Sequence, residues 1–227
     1  VLLLSTSCFT GYGIHKIFQI AQKAKVTGLD LVLSFEEKDY WDGDYIKSLS
    51  QEFSVPVLSI TAPEKGVSEE FVDKIVELAE KLDTQVINFV PPHMTDKRTK
   101  WFKEYLPKVK KHSGIAIAAQ NVEPKFWLFI IPEYKNATFA QIKAVTGDTT
   151  LDVGAVDPAS GMDIIRAERE LGASLKNILL SDRSATQTGL LPWNNHEGIL
   201  PLESFLMKLK ERSYTGFFTL KVSAEKL

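Results

Sequence analysis

Apolar residues along the chain fall into two alternating kinds of segment. Short β-rich runs occupy residues 2–8, 29–34, 55–61, 85–90, 115–120, 149–153, 175–181 and 217–222. Most are continuous rather than alternating, the pattern of parallel strands buried on both faces. The stretches between them carry a helical period. Phe71, Ile75, Leu78, Ala79 and Leu82 share one helix face, as do Ile14, Ile17, Phe18, Ala21 and Ala24. Ser68 is placed to cap the former, with Glu69 and Glu70 favourable in its first turn. Leu202, Phe205, Leu206 and Leu209 mark a later helix, and Pro201 suits its first turn.

Strands alternating with helices in this number predict an α/β chain folded as a single (β/α)8 TIM barrel, one domain over residues 1–227. A doubly wound sheet is the runner-up. A dinucleotide-binding version is weak, because Gly11-Tyr12-Gly13 lacks the third glycine of G-x-G-x-x-G. The chain stops soon after the eighth run, so the final barrel helix is expected to be short or missing. The flank left there would be a contact surface.

Composition narrows the function classes. Lys plus Arg is 27 and Asp plus Glu is 29, for a net charge of −2, which argues against a nucleic-acid partner. One cysteine, Cys8, permits no intrachain disulfide and fits a reducing, cytoplasmic location. No run approaches the roughly 20 apolar residues of a membrane helix, so no membrane partner is expected. Val1-Leu2-Leu3-Leu4 lacks the basic flank of a signal peptide.

Barrel active sites lie at the C-terminal ends of the strands. Those ends supply Ser7 and Cys8, then Ser34 with Glu36 and Glu37, and Thr61. They continue with Pro91-Pro92-His93, Gln120-Asn121, Asp152, Ser181-Asp182-Arg183, and Lys221 with Ser223. Polar groups ending buried apolar strands are costly unless paired or functional. Cys8 reads as a small buried residue rather than a nucleophile. Residues 126–131, Phe-Trp-Leu-Phe-Ile-Ile, are apolar where a loop should be polar. They suggest a lid over the mouth with Trp193 and Tyr134, or a subunit interface, ahead of an extra core segment. An interface there, or at the short C-terminal end, would make a homodimer.

The second half of the chain resembles the sugar phosphate isomerase/epimerase family, the xylose-isomerase-like barrels that also include endonuclease IV. Ala118-Ala119-Gln120-Asn121 stands where the family has an apolar strand ending in Glu-Asn. Leu151-Asp152-Val153-Gly154 matches Leu-Asp-Thr-Gly, and Ala155 stands where a His follows. Asn177-Ile178-Leu179-Leu180-Ser181-Asp182, Gly198-Ile199-Leu200-Pro201-Leu202 and Tyr214-Thr215-Gly216-Phe217 match the later family segments.

The resemblance implies a divalent metal held by Glu, Asp, His and Glu on strands five to eight. Those positions carry Gln120, Asp152, Leu179 and Lys221. Gln120 offers one neutral carbonyl, Leu179 no donor, and Lys221 a positive charge, so no metal and no other cofactor is expected. Lys221 is either a catalytic cation, acid, base or Schiff-base amine, or one half of a structural ion pair with Asp152 or Asp182. Asp152 is a general base or the counter-ion.

The expected ligand is a small carbohydrate-like molecule. Lys221, Asp152 and Glu36 are the catalytic candidates, with His93 as a further base. Gln120, Asn121, His93, Asp182, Arg183, Trp193 and His196 are the substrate-binding candidates. Asn121 and Gln120 suit hydroxyls, and Arg183 suits a phosphate or carboxylate. His93 is either mouth-facing or a solvated loop residue, and Arg183 has a neighbouring salt bridge as its plainer role. Three readings stand: a metal-independent isomerase or epimerase, a non-catalytic ligand-binding or scaffold relative, and an abasic-site nuclease. The last needs a metal cluster and a basic face.

Overall fold

Each of the eight β-rich runs forms a strand. In the computed structural model, which describes residues 1–128, 130–157, 161–184, 190–192 and 197–222, the strands close into a parallel barrel in sequence order. They are β1 (Leu2–Ser5), β2 (Gly28–Val32), β3 (Val57–Thr61), β4 (Val86–Phe89), β5 (Ala116–Gln120), β6 (Asp148–Asp152), β7 (Leu175–Leu180) and β8 (Phe217–Leu220). Strand β1 pairs with both β2 and β8, so no strand edge is left open. The helices are α1 (Ile14–Ala24), α2 (Gly43–Phe53), α3 (Glu69–Lys81), α4 (Leu106–His112), α5 (Phe139–Thr146), α6 (Ile164–Leu171) and α7 (Leu202–Glu211). The chain after Val222 lies outside the described residues, and with it the expectation about a final helix. Among the described residues no helix is long and apolar enough to cross a membrane.

The helical period is realised where expected. Ile14, Ile17, Phe18 and Ala21 bury the inner face of α1, and Val72, Ile75, Leu78 and Ala79 that of α3. Ala24 is exposed at the end of α1, beyond the reach of the barrel. Ser68 takes the N-cap position of α3, but its side chain makes no capping bond. Glu69 and Glu70 remain to complement the positive end of the helix.

Strand β1 is shorter than its apolar run, because Thr6–Phe9 turns into a 3-10 helix. Three bonds fasten that turn. The Thr6 hydroxyl accepts from Val32 N at 2.9 Å. The Cys8 thiol accepts from Val222 N at 3.3 Å and donates to Leu220 O at 3.4 Å, stitching the barrel's first and last strands together. Burial pushes the Cys8 thiol pKa up, so the group is a neutral packing element and not a nucleophile.

The barrel interior differs from an all-apolar expectation. Ser59, Asn88, Thr150, Asn177 and Thr219 are fully buried, one from each of five strands. Asn88 donates to Ser59 Oγ at 2.8 Å and accepts from Thr150 at 2.6 Å. Thr219 donates to Asn177 Oδ1 at 2.9 Å. The strand period of two then dictates what lies one step further toward the mouth. Two residues beyond Ala118, Thr150, Asn177 and Thr219 stand Gln120, Asp152, Leu179 and Lys221. Toward the other end, Leu3, Val86, Ala118 and Phe217 form a small apolar plug.

Candidate functional site

Gln120, Asp152, Leu179 and Lys221 all line one cavity of about 630 Å³ at the C-terminal ends of the strands. Lys221 Nζ lies 2.6 Å from Asp152 Oδ2, a charge-assisted hydrogen bond. Asp152 is 3% exposed, and the Lys221 side chain keeps 28% exposure toward the mouth. Burial works to lower the Lys221 pKa. The Asp152 carboxylate, through charge and hydrogen bond, and then Asp30 and Glu64 outweigh it, so the ammonium is held above its ordinary range. The Gln120 amide donates weakly to Asp152 Oδ2 at 3.5 Å. Asp152 Oδ1, Gln120 Oε1 and Ser181 Oγ are buried without a partner among the described residues.

Asn121 has both ends of its amide committed. Its Nδ2 donates to Asp152 O at 3.0 Å, and its Oδ1 accepts from Asp152 N at 2.7 Å. It therefore positions the Asp152 backbone while lining the cavity, the strand-end role open to it beside contact with ligand hydroxyls. Glu36 is exposed on the cavity wall, with no partner for its carboxylate among the described residues.

Three other expected residues sit elsewhere. His93 is 3% exposed and does not line the cavity. Its Nε2 lies 3.0 Å from Glu133 Oε1, and its ring packs edge-on against Trp127 and Tyr134. Neither a mouth-facing nor a solvated histidine is found, because the 133–135 segment folds over it through Met94 N→Glu133 O and Lys135 N→Pro92 O. Asp182 turns away from the cavity and accepts from Arg183 N at 2.8 Å and Leu200 N at 3.1 Å. Gly198 is required beside it, since a Cβ there would sit 1.9 Å from Asp182 Oδ2. Arg183 donates to Val156 O at 3.2 Å and reaches Glu123 at 3.4 Å, the plainer salt-bridge role. Trp193, His196 and Ser223 lie outside the described residues.

Three cavity carboxylates fall outside the strand-end candidates: Asp30, Glu64 and Glu123, the last paired with Lys125 and Arg183. Asp30, in the middle of β2, is 1% exposed and lines the cavity floor. It accepts from Ser59 at 2.8 Å, Thr61 at 3.0 Å, Ser5 at 3.1 Å and Asn88 at 3.4 Å. Burial raises its pKa, and these donors with Lys221 offset part of that. A lone Asp inside Gly-Leu-Asp-Leu-Val was the available signal, since a charge in a buried run demands partners. Glu64, after β3, accepts a short hydrogen bond from the Tyr134 hydroxyl. Burial, and then that bond and the neighbouring carboxylates, push the Tyr134 pKa upward, so the phenol stays neutral.

The donor set at the four aligned positions is one amide, one carboxylate, one hydrocarbon and one ammonium. It does not fit a divalent cation, because the ammonium holds the carboxylate a metal would take. Among the described residues no group of three or more His, Cys, Asp or Glu is placed to hold a metal ion.

No family model matches the chain. An uncharacterized protein of Mycobacterium leprae is 24% identical, over 97% of this chain and 88% of that protein. Among solved structures, a D-tagatose 3-epimerase-like protein superposes with a TM-score of 0.71 at 17% identity, covering 98% of this chain and 90% of the other. The IOLI protein, solved with a binding zinc atom, superposes at 0.69 and 15% identity, covering 99% and 90%. The strand order and these superpositions agree, and the chain has the fold of the xylose-isomerase-like TIM barrels.

Proposed function

We propose that the chain binds a small sugar or related hydroxycarbonyl at the barrel mouth and moves the proton α to its carbonyl without a divalent metal. The observation that carries this reading is the Lys221 ammonium, 2.6 Å from Asp152, where the resemblance puts a metal ligand. A positioned ammonium in a half-buried site stabilises a developing enediolate oxygen, the work a Lewis acid would otherwise do. The raised Lys221 pKa keeps the group charged at neutral pH. It therefore acts as a cation or proton donor, since Schiff-base formation needs the free amine.

A carboxylate on the wall takes the proton from the carbon bearing the hydroxyl. The electron pair moves to the carbonyl oxygen beside Lys221. Return of the proton to the same carbon from the opposite face gives the epimer; return to the former carbonyl carbon, with the hydroxyl proton lost from the first oxygen and one gained by the carbonyl oxygen, gives the isomer. Glu36 has the freer carboxylate of the two candidates, because Asp152 Oδ2 is held by Lys221. The D-tagatose 3-epimerase-like neighbour supports a sugar-sized ligand by analogy of fold. One observation favours a second reading, a ligand-binding relative without turnover: Asp152 and Lys221 already neutralise each other.

The test is exchange. Chelator-treated protein, its metal content checked by plasma mass spectrometry, is incubated in D2O with a panel of aldoses, ketoses and their phosphates. The expected result is deuterium entering the α carbon of one panel member, with a loss on the order of 100-fold in Lys221→Met. A rise in melting temperature without exchange selects the binding reading. Stoichiometric metal, or exchange only after metal is restored, overturns the proposal.

A further inference from the structure

A second cavity of about 690 Å³ lies beside the mouth cavity. Its walls expose less polar surface, with Met94, Phe126, Pro132, Phe139, Val156 and Met162 supplying apolar area. Lys135, Asn136, Gln141, Asp157 and Glu170 also line it. The two cavities share residues 121–123, Lys125, Tyr134 and Ala155 as a common wall. Glu123 on that wall is tied to Lys125 and to Arg183, each at 3.4 Å. Ala155 is its smallest side chain.

The apolar hairpin forms the outer edge of this second cavity. Its two short strands, Phe126–Trp127 and Ile131–Pro132, pair antiparallel, and Phe126 and Pro132 line the hollow. Leu128 and Ile130 at the tip are 82% and 81% exposed. An apolar hollow of this volume beside a polar one is the usual shape of a small-molecule site. Contiguous exposed apolar surface at its rim marks a surface that meets a ligand.

We infer that the second cavity holds the apolar part of an amphipathic ligand, an aromatic or alicyclic ring joined to the sugar or hydroxycarbonyl whose polar end meets Lys221. The inference rests on the function proposed above and adds the ligand class: ring-bearing hydroxycarbonyls, such as aryl-substituted hydroxyketones, whose carbonyl stays free for the proton transfer. The polar end suits the cavity with Lys221, Asp152 and Gln120. The ring suits the cavity of Met, Phe, Pro and Val side chains. The join crosses the common wall at Ala155, where the least side chain stands in its way.

Matched pairs of probes test this, each pair an open-chain hydroxyketone bearing a methyl group and the same hydroxyketone bearing a phenyl group, measured by titration calorimetry on the full chain. The phenyl member is expected to bind at least about tenfold tighter. That ratio should fall toward one in Ala137→Trp, which fills the second cavity, and in Ala155→Phe, which obstructs the wall. Ala137→Leu, a smaller plug, should give an intermediate ratio and guards against misfolding of the larger variants. Equal affinity within every pair overturns the inference and leaves the proposed function standing. A phenyl preference that survives all three variants also overturns it. Binding of neither member of any pair overturns both readings.

Discussion

Two buried aspartates sit inside the same barrel in opposite circumstances. Asp30 on β2 is surrounded by neutral donors from Ser5, Ser59, Thr61 and Asn88. Asp152 on β6 faces a single ammonium and leaves Oδ1 without a partner. Asp30 belongs to a closed network that joins neighbouring strands. Asp152 belongs to an open one, with one strong bond and an unfilled acceptor at the edge of a cavity. The contrast separates a polar group that specifies the barrel from one left available to chemistry, since fully satisfied networks rigidify and partly satisfied ones mark sites.

Removing the cation is expected to have the largest effect. Lys221→Met leaves the Asp152 carboxylate buried and uncompensated, at a cost of about 3–4 kcal/mol in urea unfolding. Adding Asp152→Asn should recover most of the loss, because the orphaned charge goes with it. The pH sign follows from the raised Lys221 pKa. The stability from the pair is fully present below the ordinary ammonium value of 10.5 and is lost as pH rises through the higher folded value. A loss of the difference between wild type and Lys221→Met already at neutral pH would break the comparison.

Asp30→Ala should cost about 2–3 kcal/mol, since it strands several buried donors at once. Here the pH sign sharpens the contrast. Burial raises the Asp30 pKa above its ordinary 3.8, so the folded state prefers the protonated acid. Its contribution is present below 3.8 and declines as pH rises through the folded value. Relative to Asp30→Asn, the wild type should therefore gain stability on acidification from neutral pH toward 3.8, measured by urea melts across that range. A flat difference would show that Asp30 stays ionised throughout.

The hairpin tip should matter least to the fold. Leu128→Ser and Ile130→Ser are each expected to change stability by less than about 0.5 kcal/mol, because both side chains are more than 80% exposed. A larger loss by thermal melting would mean that this apolar surface is covered in solution.

The sequence was most legible where the signal is periodic. All eight strands and the inner faces of α1 and α3 follow from apolar spacing alone, because burying one face is a local demand. Gln120, Asp152 and Lys221 were legible as well, since each stands at a strand end and the barrel brings strand ends together, while Leu179 was legible only through the family resemblance. His93 differs for the opposite reason: it follows a strand, yet Glu133, far along the chain, holds it away from the mouth, while Arg183 takes its plainer role in a salt bridge with Glu123. Asp30 was passed over because a survey of strand ends does not look at strand centres.

Spacing by itself determined that the chain is a parallel barrel, and the family resemblance added that three of the four aligned mouth positions carry the wrong chemistry for a divalent metal. Only the tertiary structure decided which polar groups meet. Asp30 joins Asn88, Asp152 joins Lys221, and Glu64 joins Tyr134 across separations of 58, 69 and 70 residues. The reason is physical: an apolar pattern reports burial one residue at a time, whereas a hydrogen bond or ion pair needs two specific atoms within about 3 Å. Barrel closure and the loops over its mouth set those distances.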